Sequence, residues 1–283
     1  MDKKLLGLLM IAIVAISGCT QMDESDEQAQ ADQAAAEAEG QASIDQAAVD
    51  QDAVEQVAVE QVTNESLNIS SGNMNYPAYL AAPAAEGKWP AVVMIHSFNG
   101  LEPGYMAMAD QLASQGFVVI APLWQTFERS PRDTIVAQLV NDSVSYLRTR
   151  QDVQGDSLGL TGFCAGGRYT MLLLPLMNES FSSGVAWYGF PYRGPDNQSR
   201  PADLVNLLDD PMLIIHGTHD QSSNISEIYQ YATELNATGK YFELKVYQGE
   251  PHGFMIDDGQ LSQSFPAKDA FRQMASFFDR TLK

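Results

Sequence analysis

The stretch Leu158 to Arg168, Leu-Gly-Leu-Thr-Gly-Phe-Cys-Ala-Gly-Gly-Arg, constrains this chain more than any other, because it sets a reactive thiol between closely spaced glycines. The apolar residues Leu158, Leu160 and Phe163 lead into Gly162-Phe163-Cys164-Ala165-Gly166, and a helix-forming run from Tyr169 to Met177 follows at once. That order predicts a strand, a sharp turn and a helix. Glycines two residues to either side of Cys164 let strand and helix approach, and such a turn lifts the central side chain off the end of a sheet. The backbone N–H of Ala165 then falls at a helix N-terminus, where it can stabilise an oxyanion. The pattern is that of a nucleophile elbow with Cys in place of the usual Ser.

Around this stretch, short apolar runs alternate with helical ones. Strands are predicted at Asn75 to Pro83, Ala91 to Ile95, Phe117 to Ile120, Gly184 to Tyr188, Met212 to Ile215 and Tyr241 to Tyr247. Helices are predicted at Tyr105 to Ser114, Asp133 to Arg148, Ile225 to Leu235 and Ala267 to Leu282. Runs such as Ala91-Val-Val-Met-Ile95 show no polar alternation and suit strands covered on both faces. The expected fold is therefore α/β: a doubly wound, mostly parallel sheet with helices on both faces.

In such sheets reactive groups gather at the carboxyl ends of the strands. Three predicted strand ends carry them: Cys164 after the first, His216-Gly217-Thr218-His219-Asp220 after Met212 to Ile215, and Glu250-Pro251-His252-Gly253-Phe254 after Tyr241 to Tyr247. The chain order is nucleophile, acid, histidine, which is the order of the α/β-hydrolase triad. A free thiol has a pKa of about 8.5 and needs a base or a positive environment to attack an acyl carbon. Taken singly, each residue has a plainer reading: Cys164 as a small core residue, Asp220 as a cap or turn residue, His252 as a surface-loop histidine. The ordered set carries the weight.

On these residues the chain resembles the dienelactone hydrolase family, a cysteine branch of the α/β-hydrolases. The resemblance runs from about Tyr76 to the C-terminus and rests on Gly-Phe-Cys-Ala-Gly-Gly-Arg at 162–168, His-Gly-Thr-His-Asp at 216–220 and Pro-His-Gly-Phe at 251–254. It implies Cys164 as nucleophile, His252 as its base and Asp220 as the residue that orients His252. It also implies an oxyanion hole from the N–H groups of Phe98 and Ala165. Two positions depart from the family's best-known members. Ser97 stands where they have a glutamate that helps control the thiol, and Ile256 where they have an arginine that grips the substrate carboxylate. Arg129 or Arg132 could supply a cationic contact instead, and dienelactone itself is not the expected substrate. Trp187, Tyr188 and Phe190 are candidates for the acyl pocket or for plain core. Arg168 reads as an ion-pair or helix-end residue, or one facing the pocket. His96 reads as a pocket or structural histidine, and His216 and His219 as residues that present Asp220. Neither a cofactor nor a metal is expected, because the histidine spacing is not that of a zinc motif.

The N-terminus carries a separate message. Lys3 and Lys4 precede an apolar core from Leu5 to Ile16, too short to span a bilayer comfortably, and Ile16-Ser17-Gly18-Cys19 resembles the lipobox of bacterial lipoproteins. Residues 1–18 are thus expected to be a signal peptide, with Cys19 lipidated. Thr20, in place of an Asp, favours the outer membrane of a bacterial cell envelope. Residues 19–66 read as an acidic low-complexity tether, with pentapeptide repeats starting at Asp45, Asp50, Glu55 and Glu60 whose period matches neither helix nor strand. The remainder, 67–283, is expected to form one hydrolase domain. With 22 acidic and 14 basic residues, it offers no basic footprint for nucleic acid. Cys164 is its only thiol, so no disulfide is expected within it. The expected protein is a monomeric, membrane-anchored hydrolase of a small ester, lactone or thioester, working through an acyl-enzyme. The alternative is an inactive hydrolase fold kept as an envelope binding or interaction module.

Overall fold

The computed structural model describes residues 61–195 and 200–283. The signal-like segment, Cys19 and the acidic repeats as far as Glu60 lie outside the described residues. One eight-stranded sheet organises the rest: β1 (Val62–Ser71), β2 (Met74–Pro83), β3 (Trp89–Ile95), β4 (Val118–Pro122), β5 (Val153–Phe163), β6 (Ser183–Trp187), β7 (Met212–Gly217) and β8 (Phe242–Tyr247). Their spatial order is β1-β2-β4-β3-β5-β6-β7-β8. The pairs β1–β2 and β2–β4 are antiparallel, and the pairs from β4 through β8 are parallel. This is the mostly parallel, helix-covered sheet expected from the alternation of elements.

Helices close both faces. On one, α1 (Pro103–Ala113) and α5 (Phe265–Leu282) pack through Tyr105, Met108, Leu112, Phe271, Met274 and Phe278. On the other, α2 (Asp133–Thr149), α3 (Ala165–Leu173) and α4 (Ile225–Ala237) pack through Val136, Leu139, Tyr169, Leu172, Ile228 and Tyr231. Strands β4, β6 and β7 are buried along their whole length, which is why they read as continuous apolar runs. Each large side chain buried this way contributes roughly 1.5–3 kcal/mol. Among the described residues, no helix is long and apolar enough to cross a membrane.

Three differences from the expected elements have physical reasons. The tether was expected to run to Ser66, but β1 begins at Val62 and pairs with β2 over ten residues. Its side chains are mostly exposed, so backbone hydrogen bonds hold it and its polar sequence leaves little trace. The helix after the elbow starts at Ala165 instead of Tyr169 and gives way to a 3₁₀ turn at Leu174–Leu176. Gly166 and Gly167 weaken the helical signal at its start, and Pro175 lacks the N–H that would continue it. Finally, a short hairpin of β9 (Ile256–Asp257) and β10 (Gln260–Leu261) follows the histidine loop.

Candidate active site

The site lies at the carboxyl ends of the parallel strands. Cys164 follows β5 directly, has φ 57° and ψ −112°, and sits at the N-cap of α3. Positive φ is costly for a residue with a Cβ, so the turn must be held from outside. It is held by the Cys164 N–H, which donates to Trp187 O at 3.1 Å, and by glycines that permit very close packing. A Cβ on Gly162 would overlap the Gly166 carbonyl, and one on Gly166 would overlap the Ile95 carbonyl at the end of β3. Among the described residues, neither the Ala165 nor the Phe98 N–H donates to a backbone carbonyl, and both residues border the cavity above the thiol.

Asp220 and His252 come from loops stitched to one another. The Thr218 N–H donates to Tyr247 O at 2.9 Å, the His219 N–H to Glu250 O at 3.0 Å, and the Gly249 N–H to Thr218 Oγ1 at 2.8 Å. Asp220, 3% exposed, accepts at Oδ1 from the N–H groups of Ser222 (2.9 Å) and Ser223 (2.8 Å). Its Oδ2 lies 2.7 Å from His252 Nδ1 and 3.3 Å from His216 Nε2. Burial works against the Asp220 carboxylate, but the His252 and Ser223 hydrogen bonds outweigh it and hold the pKa below its ordinary value. Burial likewise works against a charged His252. The Asp220 hydrogen bond and the neighbouring Cys164 thiol reverse that, raising its pKa from 6.5 to about 9. His252 Nε2 is buried, and the Cys164 thiol beside the ring is the polar group it faces. The ring itself is fixed between Tyr188 (centroids 5.1 Å apart, edge-on) and Phe190 (5.4 Å).

Cys164 and His252 open into one cavity of about 820 Å³. Its lining includes Phe98 and Ala165, the two departing positions Ser97 and Ile256, and Tyr188 and Phe190. Among the described residues only Cys164, Tyr188 and Asp258 combine a side chain with positive φ, and all three line this cavity. Backbone strain thus concentrates at the site, as it does at functional centres. Among the described residues no group of three or more His, Cys, Asp and Glu side chains is arranged to hold a metal ion.

Several candidates are placed elsewhere. Trp187, offered as a pocket residue, is fully buried in the core, where its Nε1 donates to Thr161 Oγ1 at 3.1 Å. Its neighbour Tyr188 borders the cavity but is equally buried, and both rings pack on Phe163 in one apolar cluster. Arg129 stacks on Phe98 at 4.7 Å and borders a separate depression, while Arg132 caps α2 in solvent. Neither lines the Cys164 cavity. Its cationic wall comes instead from Arg168 and from Arg193, the latter not singled out in the sequence. Arg168 makes a bidentate bond to Asp133 (2.9 and 2.6 Å), and its Nε donates to Arg193 O at 2.7 Å. Arg193 stacks on Phe190 at 4.5 Å. Its position just beyond the end of β6 was the available signal. His96 is buried, with Nδ1 2.8 Å from Ser97 O and its ring stacked on Trp124, and burial lowers its pKa to about 4. It is structural, as is the fully buried His216; His219 is exposed.

The sheet order, the elbow and the arrangement of a thiol, a histidine and an acid at successive strand ends define an α/β-hydrolase. Comparison with known proteins narrows the class. The model of the dienelactone hydrolase family matches residues 76–133 and 123–282, and the chain belongs to that family. A protein of Synechocystis sp. named "Putative carboxymethylenebutenolidase" is 26% identical over 240 residues, covering 77% of this chain and 96% of its own. One of the same name from Salmonella typhimurium is 28% identical over 230 residues, covering 75% and 85%. Among solved structures, one titled as a putative dienelactone hydrolase from Klebsiella pneumoniae superposes with a TM-score of 0.71 at 24% identity, covering 78% of this chain and 99% of its own. The Pyrococcus horikoshii acylaminoacyl peptidase superposes at 0.65 and 17% identity, over 78% of this chain and 42% of its own, so it shares the fold of one part. The chain is a hydrolase of the dienelactone hydrolase family.

Proposed function

We propose that this hydrolase cleaves a small ester, lactone or thioester through an acyl-enzyme on Cys164. The observation that carries the proposal is His252: Nδ1 is bound to a buried, fully engaged carboxylate, while Nε2 faces the only thiol of the domain. A histidine with a pKa of about 9 is an imidazolium at neutral pH, the state that pairs with a thiolate nucleophile. Sγ attacks the acyl carbon, and the resulting oxyanion is stabilised by the N–H groups of Ala165 and Phe98. The C–O (or C–S) bond then breaks as the imidazolium gives its proton to the leaving group. Water attacks the thioester, His252 takes its proton, and the thiolate departs with the acid product. Asp220 keeps the ring in the tautomer and orientation this requires.

The named relatives make lactones natural candidates, and Ile256 argues for a substrate other than one whose carboxylate is gripped by the family's arginine. Full-length enzyme should hydrolyse short p-nitrophenyl esters, and Cys164→Ala should lower kcat/KM by about 10³-fold or more. Equal activity in the two proteins would overturn the assignment. For location, the proposal is a lipid-anchored envelope protein held through Cys19 on an acidic tether. Cys19→Ala should release it from the membrane fraction, and globomycin should block its maturation.

A further inference from the structure

His216 is completely buried, takes no part in the chemistry above and does not line the Cys164 cavity. It stands near the end of β7, four residues before Asp220. Its Nε2 lies 2.8 Å from the Ser223 carbonyl oxygen, which can only accept, so Nε2 carries the proton and donates it. Burial lowers the pKa of the ring, which is therefore neutral at working pH. Ser223 is buried as completely, and each of its polar groups is engaged. Its O accepts from His216, its N–H donates to Asp220 Oδ1 at 2.8 Å, and its Oγ donates to Gly189 O at 2.6 Å. His216 Nε2 also stands 3.3 Å from Asp220 Oδ2, the oxygen that meets His252 Nδ1 at 2.7 Å. Gly189 in turn packs against Gly167, three residues beyond the thiol, so closely that a Cβ on either glycine would collide with main chain.

We propose that His216 is a positioning residue: by fixing Ser223 it sets the oxygens of Asp220, and through them the aim of His252 at Cys164. The contacts form one connected set. They run from His216 through Ser223 and Asp220 to His252 on one branch, and from Ser223 through Gly189 to Gly167 on the other, so the acid loop and the helix behind the elbow share a fixed point. Without the His216 N–H the Ser223 carbonyl becomes a buried acceptor with no donor, and the residue that holds Asp220 Oδ1 loses its anchor. The positive end of the same N–H dipole faces Asp220 Oδ2 where neither side chain touches water, which favours the ionised carboxylate. An ionised, oriented Asp220 favours the His252 imidazolium, and the imidazolium favours the thiolate. His216 thus acts on the thiol without touching substrate. This rests on the assignment of Cys164 as nucleophile and adds to it a residue on which the reaction depends.

The test reads the pH dependence of Cys164 alkylation by iodoacetamide, together with steady-state hydrolysis of p-nitrophenyl acetate. Both are measured on full-length wild type, His216→Leu, His216→Gln and Asp220→Asn, with Cys164→Ala as control. His216→Leu should raise the midpoint of alkylation by about one pH unit, in the same direction as Asp220→Asn, and lower kcat about tenfold while KM changes less than about threefold. Glutamine sets an amide N–H where the imidazole carries Nε2–H, so His216→Gln should bring both values back toward wild type. The midpoint is a property of each folded molecule, and a lower yield of folded enzyme does not move it. A midpoint in His216→Leu equal to that of wild type, or a raised one that His216→Gln leaves raised, overturns the inference while Cys164 remains essential. Undiminished hydrolysis by Cys164→Ala overturns the nucleophile assignment instead.

Discussion

The loops after β7 and β8 hold Asp220 and His252 by saturating them: Asp220 receives two backbone N–H groups and one imidazole, and the loops bond directly to each other. The segment after β6 does the opposite. It holds Tyr188 by a strained backbone, with φ 36°, and by ring packing on Phe163, His252 and Phe254. One side is held by hydrogen bonds and the other by packing against a strained backbone. Two of the three family motifs, at 216–220 and 251–254, lie in these loops and the third is the Cys164 elbow, while Ser97, Ile256 and Arg193 also line the cavity.

The largest effects should come from the elbow and the saturated loops. Cys164→Ala is expected to abolish ester turnover to within the background of the assay. His252→Gln should lower kcat by about 10³-fold and Asp220→Asn by about 10²-fold, read by steady-state kinetics on one reactive ester. A small effect of Asp220→Asn would break the comparison, since it would mean that His252 is oriented by its ring contacts with Tyr188 and Phe190 and not by the carboxylate.

Next in size is a change in stability at the Arg168–Asp133 pair. Arg168 and Asp133 are about a tenth exposed, and Arg168 also anchors the Arg193 carbonyl. Asp133→Ala strands a buried guanidinium and should destabilise the fold by about 3 kcal/mol in urea or thermal unfolding. The smallest effect is in pH. Because the folded-state pKa of His252 is raised to about 9, its contribution to stability is fully present below about pH 6.5 and is lost as pH rises through 9. Asp220, held below its ordinary value, acts in the opposite direction and loses its contribution on acidification. The difference in unfolding free energy between wild type and His252→Gln should therefore shrink between pH 6.5 and 9.5.

The parts of this molecule that were legible in the sequence are those with strict steric or ordering demands. Gly162 and Gly166 reveal the elbow because a Cβ there would collide with backbone. The parallel strands reveal themselves because burial on both faces removes polar residues. Asp220 and His252 follow from their places at strand ends. What stayed hidden has no such demand. β1 is a polar edge strand held by its backbone, and nothing in its composition separates it from the acidic repeats before it. Trp187 and Tyr188 are chemically alike and both are buried against Phe163, and only the fold shows that Tyr188 alone also borders the cavity. Arg193 lies in a loop, where the fold and not the local pattern decides what it faces. Arg129 and Arg132 were reasonable candidates by charge, but the loop after β4 carries them beside the cavity and not into it.

The central claim is that Cys164 carries the acyl group. Rapid acid quenching during turnover of an activated ester, followed by peptide mass spectrometry, tests it directly. The acyl mass should appear on the peptide containing Cys164 within the first turnover and should disappear as substrate is exhausted. An acyl mass on any other residue, or sustained hydrolysis with Cys164 unmodified throughout, would contradict it.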